Sequence, residues 1–213
     1  MAGSLGGVSL LELSQKPRAR RRLFGAERFE DETRFLRSWI ENPIRTGAVA
    51  PSGKHLAQTM ASYIDPRMPG PIVELGPGTG PVTDALIRRG VAQERLVLVE
   101  YNPEFAQLLK RRFPRAAIVC GDAYEVREAL ADVVTEPCAG FVSSLPLFTR
   151  PLPQRLELLT AAHELSRSGA PFVQFTYAVV APMPVRSPDY TATASERVWR
   201  NVPPARVWVY RAG

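Results

Sequence analysis

Val73-Glu74-Leu75-Gly76-Pro77-Gly78-Thr79-Gly80 decides the fold. An apolar strand runs into a turn with glycine at every second position, and Pro81 then opens an amphipathic helical pattern. Glycines in such a turn let the backbone pass close to a ligand with no Cβ in the way. A dinucleotide-binding turn spaces its glycines G-x-G-x-x-G, so that a pyrophosphate seats on the helix N-terminus. The spacing here is G-x-G-x-G, and the charge of Glu74 just before the turn opposes a pyrophosphate. A carboxylate in that place suits a ligand with a cationic amino group.

Outward from this turn, short apolar runs alternate with longer amphipathic ones. Strands are expected at Pro71 to Leu75, Leu96 to Glu100, Ala116 to Cys120, Ala139 to Ser143 and Pro171 to Tyr177, with helices beginning near Pro81, Pro103, Glu125 and Leu152. Such alternation implies parallel strands joined by right-handed crossovers, hence an α/β fold whose open sheet carries helices on both faces. Ligands in these sheets bind beyond the carboxyl ends of the strands, at the switch point. The tail differs: Arg197 to Val202 and Ala205 to Tyr210 flank Pro203-Pro204 and read as an antiparallel hairpin closing the sheet edge. Upstream, Phe29, Phe35, Leu36, Trp39 and Ile40 fall near one side of a helix over Glu27 to Ile40. A second helix is expected over Leu56 to Ile64, with Ser52 as its N-cap. The chain therefore divides into an N-terminal basic, amphipathic segment, 1–41, and one α/β domain, 42–213.

Acids recur at the strand ends. Leu96-Val97-Leu98-Val99-Glu100 ends in a carboxylate whose two oxygens can accept both hydroxyls of a ribose. One strand later, Cys120-Gly121-Asp122-Ala123 places Asp122 where it can accept a hydrogen bond from an adenine amino group. Singly, each acid has an ordinary reading as a helix cap or a solvated strand end. Three at successive strand ends beside a glycine turn form a coordinated site.

Composition narrows the classes. The chain has 213 residues, 45% hydrophobic and 23% charged, which excludes a disordered chain and allows one sizeable core. The longest apolar run, Phe172 to Val180, is broken by Gln174 and Thr176, far short of a bilayer span. Cys120 and Cys138 lie in apolar segments and read as buried, reduced thiols of a cytoplasmic protein. His55 and His163 have no Cys or His neighbour at ligand spacing, so no metal is expected; His163 reads as a packed histidine. Charge concentrates at the start. Lys16, Arg18, Arg20, Arg21 and Arg22 stand against the single acid Glu12 in residues 1–22, a net +4 of the chain's +6. Leu10, Leu11 and Leu13 precede that cluster, the reverse of a secretion signal, so a docking arm for an anionic membrane surface is expected.

These residues resemble the class I S-adenosylmethionine-dependent methyltransferases over about residues 42 to 210. Within that superfamily, Asn42-Pro43, Thr46 to Ser52, Glu74 to Gly80, Val99-Glu100-Tyr101-Asn102 and Ser144-Leu145-Pro146-Leu147 together look like the bacterial phospholipid N-methyltransferases. The resemblance implies a Rossmann-like fold and S-adenosylmethionine as cofactor, with S-adenosylhomocysteine as product. Glu74, Gly76, Gly78, Thr79 and Gly80 would form the first motif, Glu100 would hold the ribose, Tyr101 would flank the adenine, and Asp122 with Ala123 would contact it. Ser143 and Leu145 would line the methyl-donor pocket, and Thr46 to Ser52 would cover the methionine end. It also implies a peripheral membrane enzyme at the inner face of the cytoplasmic membrane that methylates phosphatidylethanolamine stepwise to phosphatidylcholine.

An rRNA adenine dimethyltransferase is the rival, its first half being similarly laid out. Adenine N6 is a poor nucleophile, so those enzymes hold the flipped base with an Asn or Asp, a Pro and an aromatic residue after the fourth strand. Here that place reads Ser143-Ser144-Leu145-Pro146-Leu147-Phe148, with no amide or carboxylate, and no aromatics interleave the basic cluster. No nucleic-acid partner is expected, and the chain is read as a monomer in solution. Other small-amine methyltransferases and a donor-sensing module are the remaining classes. For an amine acceptor, Ser143 and Tyr177 are the candidate catalytic groups. Leu147 is the candidate pocket wall. Arg186, in a loop over Ala181 to Ala194 expected above the substrate side, is the candidate phosphate ligand.

Overall fold

A computed structural model describes residues 51–213. The expected helix over Glu27 to Ile40, the basic cluster and the Thr46 turn lie outside the described residues. Five strands alternate with helices as the sequence implies: α1 Pro51–Ser62, β1 Ile72–Leu75, α2 Pro81–Arg88, β2 Leu96–Glu100, α3 Pro103–Arg112, β3 Ala117–Cys120, α4 Val126–Leu130, β4 Gly140–Ser143, α5 Leu152–Glu164 and β5 Phe172–Thr176. Two more strands, β6 Tyr190–Ala194 and β7 Arg206–Ala212, complete one seven-stranded sheet in the order β3-β2-β1-β4-β5-β7-β6. β1 to β5 are parallel, and β7 runs antiparallel between β5 and β6. The strand order reverses between β1 and β4, so the crevice at their carboxyl ends is the switch point.

Alternation along each strand divides the core into two layers. Ile72, Leu98, Val142 and Val173 face Met60 of α1, Ile64 just past its end, Leu86 of α2 and Leu109 of α3. Val73, Leu75, Phe141 and Phe172 face Val126 and Leu130 of α4 and Leu158 and Leu159 of α5. Both faces of β1, β2 and β4 are fully covered, which is why those strands read as continuous apolar runs.

The structure corrects three readings. Helix α1 starts at Pro51, so Ser52 lies in its first turn and is not the N-cap. Cys120 is exposed because it ends the edge strand β3, whereas Cys138 is buried and burial pushes its thiol up to about 11. The edge ladder pairs Arg206–Ala212 with Tyr190–Ala194, and Val198 to Ala205 is an isolated bridge above it. Pro203 and Pro204 have no N–H to donate, while Tyr190-Thr191-Ala192-Thr193-Ala194 supplies five uninterrupted donors.

Candidate active site

The glycine turn leaves β1 and is tied to β2 by the Gly76 N–H, which donates to the Val99 carbonyl at 2.9 Å. Its second and third glycines serve different ends. Gly80 has φ 85°, and a Cβ there would meet Phe113 Cε2 at 2.5 Å, so only glycine lets α3 pack this close. Gly78 has φ 57° and, among the described residues, no atom within 4 Å of the place a Cβ would occupy. The turn is thus packed behind and open in front. Arg112, which the sequence reading passed over, clamps it: its guanidinium donates to the Thr79 carbonyl and to Asp84 Oδ2, the latter at 2.6 Å.

Glu100 faces that opening, 7% exposed. Its Oε2 accepts from the Gly78 N–H and its Oε1 from the Asn102 N–H, both at 2.9 Å. Two backbone donors aim the carboxylate, and each oxygen keeps acceptor capacity for a ligand hydroxyl. Asn102 then caps α3, accepting from the Glu104 N–H at 2.8 Å. Tyr101 stands beside it, 76% exposed. Asp122 is half-buried, with Oδ1 accepting from the Tyr124 N–H at 2.9 Å, and Ala123 is buried beneath it.

Glu74 is fully buried behind the turn. Its Oε2 accepts from the Thr83 hydroxyl at 2.6 Å, and its Oε1 has no partner among the described residues. Burial pushes its carboxyl up to about 8, and the nearby Glu100 charge adds to the rise while the Thr83 bonds oppose it. Thr83, nine residues on and one turn into α2, carries no signal in a single sequence that marks it as this partner.

On the other side of the switch point, Ser143 is fully buried and lies in register with Leu75 and Gln174. Gln174 is 1% exposed; its Nε2 donates to the Leu145 carbonyl at 3.1 Å and the Phe175 carbonyl at 2.8 Å, while Oε1 has no partner among the described residues. Leu145 in turn lies against the turn, 3.0 Å from where a Gly76 Cβ would be. Gln174 therefore couples β5 to the donor-side loop. Its signal was present, a lone amide in the apolar run Phe172-Val173-Gln174-Phe175, but it read only as an interruption. Tyr177, just past β5, is half-buried with its ring edge-on to Phe175 at 5.4 Å.

Two expected substrate contacts lie elsewhere. Leu147 is 2% exposed and packs in the second core layer with Leu158 and Leu159. Arg186 bridges Thr191 at the start of β6, beside Tyr190, which pairs with Ala212. Since Tyr210 pairs with Phe172, that corner lies at the amino end of β5, opposite the glycine turn. The cause is topological: β6 runs parallel to β5, so the chain after Tyr177 must descend the sheet first, held by Pro182 accepting from Arg155 and Met183 donating to Tyr210. Thr46 and the Ser52 side chain lie outside the described residues. Among the described residues no three His, Cys, Asp or Glu side chains gather as a metal site.

No family profile matches the chain. It is 29% identical over 145 residues to the ornithine lipid N-methyltransferase of Singulisphaera acidiphila, a match covering 67% of this chain and 76% of that protein. It is 34% identical over 94 residues to a ribosomal RNA small subunit methyltransferase A of a Synechococcus species, covering 42% of this chain and 29% of that protein. Among solved structures, the N-methyltransferase NodS of Bradyrhizobium japonicum superposes with TM-score 0.61 at 10% identity, covering 76% of this chain and 97% of that one. The Bacillus cereus O-methyltransferase in complex with SAH does so with TM-score 0.57 at 16% identity, covering 83% and 91%. The fold is that of the S-adenosylmethionine-dependent methyltransferases. The residues present fit such a donor: an open glycine for close approach, a buried, aimed carboxylate for a diol, and an orphaned buried carboxylate oxygen for a cation.

Proposed function

We propose that the chain is an S-adenosylmethionine-dependent N-methyltransferase that works at a membrane surface. Its proposed substrate is the primary amine of phosphatidylethanolamine, then its mono- and dimethyl derivatives, towards phosphatidylcholine. The similarity to a lipid N-methyltransferase across three quarters of that protein carries this reading. The RNA-methyltransferase match, by contrast, spans under a third of its relative. The loop after β4, with Ser143 and Ser144 where a base-holding enzyme needs an amide or carboxylate, argues the same way. A second reading, favoured by the same relative, is methylation of an ornithine lipid amine. Both substrates offer a primary amine fixed to a lipid.

When bound, S-adenosylmethionine supplies an electrophilic methyl on a sulfonium, so the chain's residues need provide only alignment and a neutral amine. Glu100 would hold the ribose hydroxyls, Asp122 would accept from the adenine amino group, and Glu74, at the base of the glycine turn, would face the cationic amino group. A primary ammonium of pKa about 10 costs about 4 kcal/mol to deprotonate at pH 7. Ser143 and Gln174, adjacent in register and both buried, offer a hydroxyl and a carbonyl oxygen unpartnered among the described residues, which would accept N–H bonds and turn the amine lone pair towards the methyl. Tyr177 borders the same end of β5.

No described helix is long and apolar enough to cross a membrane. The proposed attachment is peripheral, through the leucines and net +4 charge of residues 1–22, at the cytoplasmic face. The test is mass spectrometry of lipids after incubating purified protein with S-adenosylmethionine and mixed micelles of either lipid. Methylated phosphatidylethanolamine supports the first reading, methylated ornithine lipid the second, and neither product overturns both.

A further inference from the structure

The β6–β7 hairpin continues past the end of β5. The last paired residue of β5, Thr176, meets Arg206, yet Ser195 donates to the Val207 carbonyl at 2.8 Å and Val198 to the Ala205 carbonyl at 2.7 Å. Residues 199–203 therefore form a tip projecting from the same end of the sheet as the glycine turn, Glu100 and Ser143. This tip inverts the usual partition of side chains. Polar Asn201 is 3% exposed, its N–H donating to the Val198 carbonyl at 3.1 Å and its Nδ2 to the Pro203 carbonyl at 2.7 Å. Trp199 and Val202 are 74% and 80% exposed. A buried asparagine that holds a valine and a tryptophan outward is a built surface. Val179 and Val180, at 64% and 52% exposure, lie three and four residues beyond the last residue of β5.

Charge completes the pattern. The Arg197 guanidinium lies over the Trp199 ring, 6.0 Å from its centroid, and Arg200 is exposed next to it. Neither has a carboxylate within 4 Å among the described residues, and Glu196 is the only acid from Ser195 to Arg206. Tryptophan suits the layer where acyl chains meet head groups, and cations beside it favour anionic lipid.

We propose that Trp199 and Val202, with Val179 and Val180, insert into the head-group layer of an anionic bilayer and turn the carboxyl-end face of the sheet towards lipid amines. The surface belongs to the methyltransferase domain itself and is separate from residues 1–22. The proposal rests on the lipid-amine reading for its purpose, but its test does not use methylation.

In the full-length Trp39→Phe protein, the exposed Trp199 and the buried Trp208 remain. Vesicles of equimolar phosphatidylethanolamine and phosphatidylglycerol, the latter brominated near the head group, should quench Trp199 emission, and the added change Trp199→Phe should remove that quenching. Trp199→Ser with Val202→Ser should weaken sedimentation with the unbrominated vesicles about tenfold, with an unchanged melting temperature, since both side chains are solvent-facing. Arg197→Glu with Arg200→Glu should do the same at low salt and less at high salt. Absence of quenching overturns the proposal, as does vesicle binding unaltered in both double variants. Loss of structured-RNA binding in the tip variants, with vesicle binding intact, overturns it in favour of a nucleic-acid surface. Failure of the protein to methylate either lipid in micelles removes the functional reading and leaves the quenching result to judge the surface alone.

Discussion

Glu74 and Glu100 are acids of the same type at the ends of neighbouring strands, and their surroundings set them to different work. Two backbone N–H groups aim Glu100, so Glu100→Ala should lower donor affinity by about 1.5 to 3 kcal/mol, measured by calorimetry on protein with an unchanged circular dichroism spectrum. Wild-type affinity in that variant would remove Glu100 from the ribose. Glu74 is fully buried with the Thr83 hydroxyl as its one side-chain partner among the described residues, and it holds its proton up to about 8 rather than 4.5. The folded state therefore binds that proton more tightly than the unfolded chain does. The stabilisation this provides is whole below 4.5 and is lost as pH rises through about 8. At roughly 1.4 kcal/mol per unit, denaturant unfolding should show stability falling by several kcal/mol over that window, and Glu74→Gln should flatten the fall. The cationic amino group of the donor should also expel this proton. Calorimetry in two buffers of different ionisation enthalpy should then register proton release near neutral pH, absent in Glu74→Gln; equal release in both would detach Glu74 from the amino group.

At the scale of elements, the glycine turn separates packing from binding. Gly80→Ala puts a Cβ into Phe113 at a positive φ and should cost about 2 to 4 kcal/mol of stability. Gly78→Ala meets open space, so it should cost only about 1 to 2 kcal/mol of backbone strain, yet weaken donor binding about tenfold or more. Melting curves and donor titrations on both variants check this; equal effects on both quantities would merge the two roles. Strands β1 to β5 and helices α2, α3 and α5 were legible because apolar period, glycine spacing and an initial proline are local facts. Helix α4 was legible only at its start, near Glu125, since an amphipathic pattern marks a face that can be buried but not the length that the sheet covers. The edge hairpin was placed at its proline-bearing half, because the better-paired Tyr190–Ala194 strand is polar at alternate positions and resembles a loop.

At the scale of the whole molecule, the proposed lipid substrate would oblige the enzyme to reach a surface. Deleting residues 1–22 should leave donor affinity unchanged and abolish methylation on anionic vesicles, while activity on detergent-dispersed lipid persists. Each cation near anionic lipid contributes roughly 1 kcal/mol, so rising salt should erode the vesicle activity of the full chain. Full vesicle activity in the truncated protein would leave docking to the hairpin tip alone. The sequence by itself determined the α/β layering, the glycine turn and the acids at three strand ends, since each is written in neighbouring residues. Register and topology decided the rest. They buried Leu147, carried Arg186 to the far end of the sheet, exposed Cys120 on an edge, set Gln174 beside Ser143 and left Trp199 exposed beyond the carboxyl end of β5. Those outcomes depend on which strand lies beside which, and a crossover that turns the chain end for end leaves no local trace in its amino acids.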